Sequence, residues 1–104
     1  MDSHKLKFNL GQIIEHDRFR YRGVIFDADA QFSGSEAWYQ NVAKSRPPKN
    51  APWYHVLVDG SDITTYVAER HIKHSENISE IHHPLISMYF SGYSAGQYHL
   101  SKKQ

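Results

Sequence analysis

Two aspartates at the end of an apolar stretch are the residues whose types and spacing most suggest chemistry. Residues 22–31 read RGVIFDADAQ, so Asp27 and Asp29 follow a short apolar run. Side chains two positions apart on a strand project from the same face. Two such carboxylates can serve phosphoryl transfer, one as the nucleophile and one as the acid or base beside a magnesium ion. The first question is therefore whether the chain is a phosphatase.

The surrounding sequence contradicts a phosphatase. The pattern resembles the first motif of haloacid-dehalogenase-type phosphatases, but Gln31 stands where that family has Thr or Val. That family also needs a parallel sheet built from βαβ units of about 30 residues each, and no later acidic pair completes a magnesium site. We therefore expect no enzyme activity and no catalytic residue. Asp27 and Asp29 are interpreted as the end of a strand, with carboxylates that accept backbone amides.

Histidines are the second group that could do chemistry. His71 and His74 lie three residues apart, and His82 and His83 follow. This spacing matches no firm zinc motif, cysteine is absent, and the scattered glycines form no phosphate-binding loop. We expect solvated or hydrogen-bonded histidines, with His55 inside a strand, and neither a metal nor a cofactor.

Basic residues are unevenly distributed although the net charge is only +1, from 12 basic and 11 acidic residues. At period two, three arginines of the segment 18–22 would project from one strand face as a cationic stripe that can meet a phosphate backbone. The alternative is a solvated edge strand that its charges protect from aggregation. Three more cations would extend the stripe if the following proline-rich loop folds back. The candidate DNA- or phosphate-contacting residues are Arg18, Arg20, Arg22, Lys44, Arg46 and Lys49.

The elements that must position these residues are short and mostly extended. Alternating and β-rich patterns predict strands over residues 11–16, 19–30, 53–58, 63–69 and 96–100. Asp59-Gly60 predicts a hairpin turn between the third and fourth strands. Gly23 interrupts the long strand, and we expect the chain to turn a barrel corner there.

Two short helices are predicted between the strands. The first spans residues 33–45, where Ser33 and Ser35 compete as the N-cap and Trp38 and Val42 face inward. The second lies within residues 82–92, with Pro84 at the first helical position and Gly92 as a C-terminal cap. The loop 46–52 contains Pro47, Pro48 and Pro52 and is predicted to be extended and at the surface.

The expected fold is mainly β: a partly open antiparallel barrel of about five strands with one or two short helices, formed by residues 1–104 as a single domain. No apolar run approaches 18 residues, so no membrane helix is expected. The N-terminal residues lack the apolar core of a signal peptide, and the absence of cysteine favours a reducing compartment. We therefore expect a cytoplasmic protein.

Ordered fragments along the chain resemble one known family. KFNLGQIIEH, FRYRGVIFDAD, APWYHVLV, TYVAE and HHP occur at spacings similar to those of the HspQ family, also called YccV-like or hemimethylated-DNA-binding, over about residues 5–100. The resemblance implies an SH3-like barrel and a small bacterial heat-shock protein without enzymatic activity. It implies a modulator of the Lon protease that promotes degradation of denatured or unstable proteins, including the replication initiator DnaA. The alternative that it implies is a binder of hemimethylated DNA at the replication origin, and it also implies a small homo-oligomer.

The positions that match the family pattern are interpreted as mostly architectural: a corner glycine, barrel aromatics and a proline that starts a helix. Arg22 also falls on a matching position, whereas Arg18 and Arg20 fall outside the pattern. The other matching positions are Gly23, Asp27, Asp29, Trp53, Tyr54, His55, Tyr66, Ala68, His83 and Pro84.

Overall fold

The protein is mainly β in the computed structural model, which describes residues 6–101. The elements in chain order are β1 (Ile13–His16), β2 (Arg22–Asp29), α1 (Glu36–Val42), β3 (Trp53–Val58), β4 (Thr64–Ala68), a 3₁₀ turn (Glu69–His71), β5 (Ile72–His74), α2 (Ile86–Tyr89), β6 (Phe90–Ser94) and β7 (Gln97–Leu100). Neither helix within the described residues is long and apolar enough to cross a membrane.

The strands form one five-stranded antiparallel sheet and one separate hairpin. The order of the large sheet is β4-β3-β2-β1-β5, and β6 pairs with β7. A single bridge between Gln12 and Gln97 joins the hairpin to the start of β1. The large sheet is not closed into a barrel, because β4 and β5 lie at opposite edges. The predicted mainly β, partly open antiparallel fold with two short helices is confirmed.

Both faces of the large sheet are covered. Ile14 and Ile25 belong to one buried cluster, with Tyr54 and Val56 from β3. Their neighbours along the strands contribute to a second cluster, which the β6–β7 hairpin and the segment before α2 complete. A strand covered on both sides needs apolar residues at odd and even positions alike. This explains why neither face of the segment 19–30 is cleanly polar in the sequence.

The long strand β2 differs from its predicted form at its start and at Gly23. Residues 17–19 form a turn, and β2 begins at Arg22 rather than at residue 19. The predicted corner at Gly23 is wrong, because Gly23 pairs regularly with Val58 and the shift in register lies between Ile25 and Asp27. Gly23 is required for close packing instead: a Cβ atom there would lie 2.5 Å from Val56 Cγ1 and 2.6 Å from the Leu57 carbonyl oxygen.

The first helix uses one of its two predicted N-caps but does not bury the side chain predicted at Val42. Ser35, not Ser33, is the N-cap, and its Oγ accepts from the Trp38 amide at 3.1 Å. Tyr39 is the buried residue of α1, whereas Val42 is exposed, so the predicted inward position of Val42 is wrong.

The second helix is shorter than predicted. α2 begins at Ile86, so Pro84 lies in the turn before it and not at the first helical position. Gly92 belongs to β6 and caps no helix. The β3–β4 hairpin has its predicted strands, with Trp53 opposite Ala68 and Leu57 opposite Thr64.

Candidate nucleic-acid interface

A cleft of about 420 Å³ opens between the β1–β2 loop, the C-terminal end of α1 and β4. Its volume falls in the range of about 300–1,000 Å³ that is typical of small-molecule sites in proteins. Its walls are largely aromatic, and two cations stand at its margin. The aromatic residues that line it are Phe19, Tyr21, Trp38, Trp53 and Tyr66, and the cations are Arg18 and Lys44.

The β1–β2 loop is organised by the imidazole of His16, which is only 6% exposed. Its Nδ1 accepts from the backbone amides of Arg18 and Phe19, at 3.1 Å each. Burial lowers the pKa of His16, and the neighbouring His71 lowers it further. A neutral imidazole with Nδ1 as an acceptor carries its proton on Nε2. The side chain thus holds Arg18 and Phe19 at the edge of the cleft.

His16 also connects this loop to the neighbouring segments that line the cleft. Its ring stacks on Phe19 at 4.7 Å between centroids and on His71 at 5.5 Å. His71 in turn lies 2.8 Å from Ser45 Oγ and 3.1 Å from Asp17 Oδ1. The β1–β2 loop, the segment after α1 and the 3₁₀ turn before β5 therefore form one connected rim.

Trp38 and Tyr66 form the far wall and pack against each other at 5.7 Å between ring centroids. The hydroxyl of Tyr66 donates to Asp29 Oδ2 at 2.7 Å, and the same oxygen accepts from Ser33 Oγ at 3.0 Å and lies 3.1 Å from His55 Nε2. Burial alone would raise the pKa of Asp29, but these hydrogen bonds outweigh it and hold the pKa below its usual value.

The two aspartates of the RGVIFDADAQ stretch have separate surroundings. Asp27 is exposed, and its Oδ1 accepts from the amide of Ala28. Asp29 fixes the aromatic wall through Tyr66. Within residues 6–101, no group of three or more His, Asp or Glu side chains is arranged to hold a metal ion. The predicted bond to a backbone amide is present for Asp27, whereas Asp29, the last residue of β2, accepts from side chains instead.

The predicted cationic stripe does not form, because Arg18 lies in a turn and Arg20 adopts a left-handed backbone conformation, with a φ of 65°. Arg20 pairs with Glu15 at 3.0 Å, and Arg22 pairs with Asp59 at 3.0 Å.

The three cations that follow α1 also separate. Lys49 pairs with Glu36, and Arg46 donates to Gln40. Only Lys44 lines the cleft, so Arg18 and Lys44 are the two of the six predicted cations that the structure brings to it.

Sequence reasoning missed several residues of this site. Arg70 donates to the Ser45 carbonyl oxygen at 2.8 Å and brings a third cation to the rim. Phe19 is 73% exposed, and the alternation of aromatic and basic residues in RFRYR (18–22) was an available signal for it. His16 carried no local signal, because its function depends on the turn that follows it.

The remaining family positions make contacts inside the fold. Trp53, Tyr54 and Ala68 are buried, and burial raises the pKa of Tyr54, whose hydroxyl accepts from the amide of Phe8. His83 Nε2 lies 3.0 Å from the carbonyl oxygen of Ile63.

A family model described as "Hemimethylated DNA-binding protein YccV like" matches residues 6–97. The matched region includes every element that lines the cleft.

Proposed function

The chain belongs to the YccV-like family, and we propose that it is a non-enzymatic protein that binds hemimethylated DNA through the cleft beside the β1–β2 loop. The observation that carries the proposal is the charge of the lining: Arg18 and Lys44 line the cleft, and none of its lining residues in the described part of the chain is an aspartate or glutamate. A cleft with this charge favours an anionic partner, and the description of the family names DNA as that partner.

The chemistry of the lining also suits nucleic acid better than a small inorganic anion. Cations of a DNA-binding protein contact phosphates and fix its position, whereas side chains that reach the bases supply specificity. Arg18 and Lys44 serve the first role, and the aromatic walls offer surfaces for the second. If Arg18 and Lys44 each neutralise one phosphate, a plot of the logarithm of the binding constant against the logarithm of the salt concentration has a slope of about −1.8.

Binding to three duplexes of one sequence tests the proposal: hemimethylated, fully methylated and unmethylated, each at two salt concentrations. The hemimethylated duplex should bind most tightly. Arg18→Ala should weaken binding to all three duplexes and make the salt slope shallower by about 0.9. Arg20→Ala is the matched control, because Arg20 lies in the same loop but pairs with Glu15 and does not line the cleft.

Two results would refute the proposal in different ways. Equal binding to the three duplexes that disappears at the higher salt concentration would reduce the interaction to nonspecific electrostatics. Equal effects of Arg18→Ala and Arg20→Ala would remove the cleft as the interface.

A second candidate function is modulation of Lon-dependent degradation of denatured or unstable proteins, with Lon and its substrates as cytoplasmic partners. The observation that favours it is the exposure of large apolar side chains away from the cleft: Met88 is 63% exposed, and Ile63 and Leu100 are also exposed. Exposed apolar surface is typical of protein-interaction sites. Adding the purified protein to Lon with a labelled unstable substrate tests this function, and an unchanged degradation rate across saturating concentrations would exclude it.

A further inference from the structure

The cleft contains a hydrogen-bond donor that the fold leaves without an acceptor. Both amides that approach His16 bind its Nδ1, so the proton of the neutral ring resides on Nε2. Among residues 6–101 the side-chain hydrogen bonds of His16 all use Nδ1 and none uses Nε2, although His16 lines the cleft and is almost fully buried. A buried donor of this kind normally has a partner. A ligand that enters the cleft with an acceptor atom on its edge would supply one.

The aromatic walls specify the shape of such a ligand. Phe19 at the rim is mostly exposed, and Trp38 and Tyr66 on the far wall are half-buried, so ring surfaces remain available to a planar group. Nucleobases stack on aromatic side chains in single-stranded DNA-binding sites. A base inside a duplex is already stacked on both faces, so it reaches such a wall only after it leaves the helix.

We propose that the cleft receives one unstacked nucleobase of a DNA strand, with His16 Nε2–H donating to an acceptor on the base edge and with Arg18 and Lys44 at the adjacent phosphates. This assignment rests on the DNA-binding function proposed above and names the part of the DNA that the site holds. A base with its phosphates matches all three features of the lining. The acceptor on its edge suits the His16 donor, its planar face suits the aromatic walls, and the phosphate charge suits Arg18 and Lys44. An apolar peptide side chain would leave both the donor and the cations unmatched.

A fluorescent base analogue tests the proposal directly. Three probes are compared. The first is a duplex with 2-aminopurine as a single unpaired nucleotide, the second is the same duplex with 2-aminopurine paired to thymine, and the third is the free 2-aminopurine deoxyribonucleoside 5′-monophosphate. The duplex with the unpaired base should bind roughly tenfold or more tightly than the paired duplex, because the cost of extruding the base is already removed. Its emission should fall on binding as the base stacks on the aromatic wall. The free nucleotide should bind much more weakly than either duplex.

Two variants connect these signals to the cleft without requiring a large change in the fold. Phe19→Leu keeps apolar bulk at an exposed position but removes a ring, and it should reduce both the quenching and the preference for the unpaired base. Met88→Leu, at an exposed position of α2 outside the cleft, is the matched control. His16→Asn retains an acceptor near the position of Nδ1 and loses the Nε2 donor, so it should lower affinity for the unpaired base while preserving the loop.

The possible failures are distinguishable. Equal affinity for the paired and unpaired duplexes, with unchanged emission, would overturn the extruded-base assignment while leaving DNA binding through Arg18 intact. Tight binding of the free nucleotide, at the affinity of the unpaired duplex, would assign the cleft to free nucleotides and overturn the DNA assignment. Full quenching in Phe19→Leu together with unchanged affinity of His16→Asn for the unpaired base would place the base elsewhere.

Discussion

Arg22 and Arg20 look equivalent in the sequence but differ in the structure, and this difference predicts unequal losses of stability on truncation. Both belong to the alternating segment RFRYR. The Arg22 side chain is 15% exposed and pairs with Asp59, whereas that of Arg20 is 68% exposed and pairs with Glu15. We expect Arg22→Ala to destabilise the fold strongly and Arg20→Ala to leave it almost unchanged.

The size of the Arg22 effect follows from its partners. The guanidinium donates to Asp59 Oδ2 at 3.0 Å and to the carbonyl oxygens of Asn77 and Ser79 at 2.8 and 3.0 Å. A hydrogen bond to a charged group contributes about 1.5–3 kcal/mol. The two carbonyl oxygens belong to exposed residues and can bind water once Arg22 is removed, and Asp59 still accepts from the amide of His82 at 2.7 Å. The acceptors that Arg22 leaves behind therefore add little to the loss of stability. The expected loss is about 2–3 kcal/mol, against at most about 1 kcal/mol for the exposed Arg20 pair.

Urea unfolding of the two variants and the unchanged protein measures the difference. For a chain of this length, a loss of 2–3 kcal/mol corresponds to a fall in Tm of about 8–24 °C. The m-value should stay constant, because neither substitution alters the surface exposed on unfolding. Losses that agree within about 0.5 kcal/mol for the two variants would refute the assignment of Arg22 to the fold. Loss of DNA binding in a stable Arg22→Ala protein would also contradict it.

Three further substitutions test other parts of the structure. Gly23→Ala should cost about 1–3 kcal/mol in urea unfolding, because its Cβ would overlap the neighbouring strand, whereas Gly92→Ala meets only an ordinary contact at 3.9 Å. Burial alone would raise the pKa of Asp29, but its hydrogen bonds lower it below the usual value. The ionised carboxylate therefore stabilises the fold above about pH 4, and this stabilisation is lost as the pH falls through the pKa of Asp29 in the folded protein. Asp29→Asn should remove that part of the acid dependence and Asp27→Asn should not; equal acid curves would contradict this. Burial lowers the pKa of His16. The stability that its neutral ring contributes should therefore be complete above about pH 6.5 and decline as the pH falls through the pKa of His16 in the folded protein. The same decline in a His16→Asn protein would show that His16 does not cause it.

The fold was predictable where local signals agree with the final pairing. The β3–β4 hairpin follows from two β-rich runs around Asp59-Gly60, and Gly60 adopts the positive φ of 75° that such turns favour. The helix predicted within 82–92 is present only over residues 86–89, for the opposite reason. Its apolar spacing fits a helix, but pairing with β7 places residues from Phe90 onward in a strand. Tertiary pairing of this kind leaves no signal within the segment itself.

The candidate site was predictable only in composition. Strand periodicity placed Arg18, Arg20 and Arg22 on one face, but that period applies only if residues 18–22 are extended. The turn that breaks the period is stabilised by His16, whose Nδ1 binds two amides of the loop. Arg70 reaches the rim from the 3₁₀ turn after β4, through a contact 25 residues away in sequence. Contacts that depend on a loop conformation or on such separation are set by the folded chain and not by local spacing.

Asp29 belongs to a motif typical of chemistry, but its contacts hold an aromatic residue of the cleft. Its carboxylate receives the hydroxyl of Tyr66, and Tyr66 packs against Trp38 to form the far wall of the cleft. A tyrosine whose hydroxyl is held loses rotational freedom before any ligand arrives, so less entropy is lost on binding. On the opposite side, His16 restrains Phe19 and Arg18 in the same manner. Asp29 and His16 therefore lie on two sides of one cleft, and in the proposed interface each would contribute by positioning an aromatic residue.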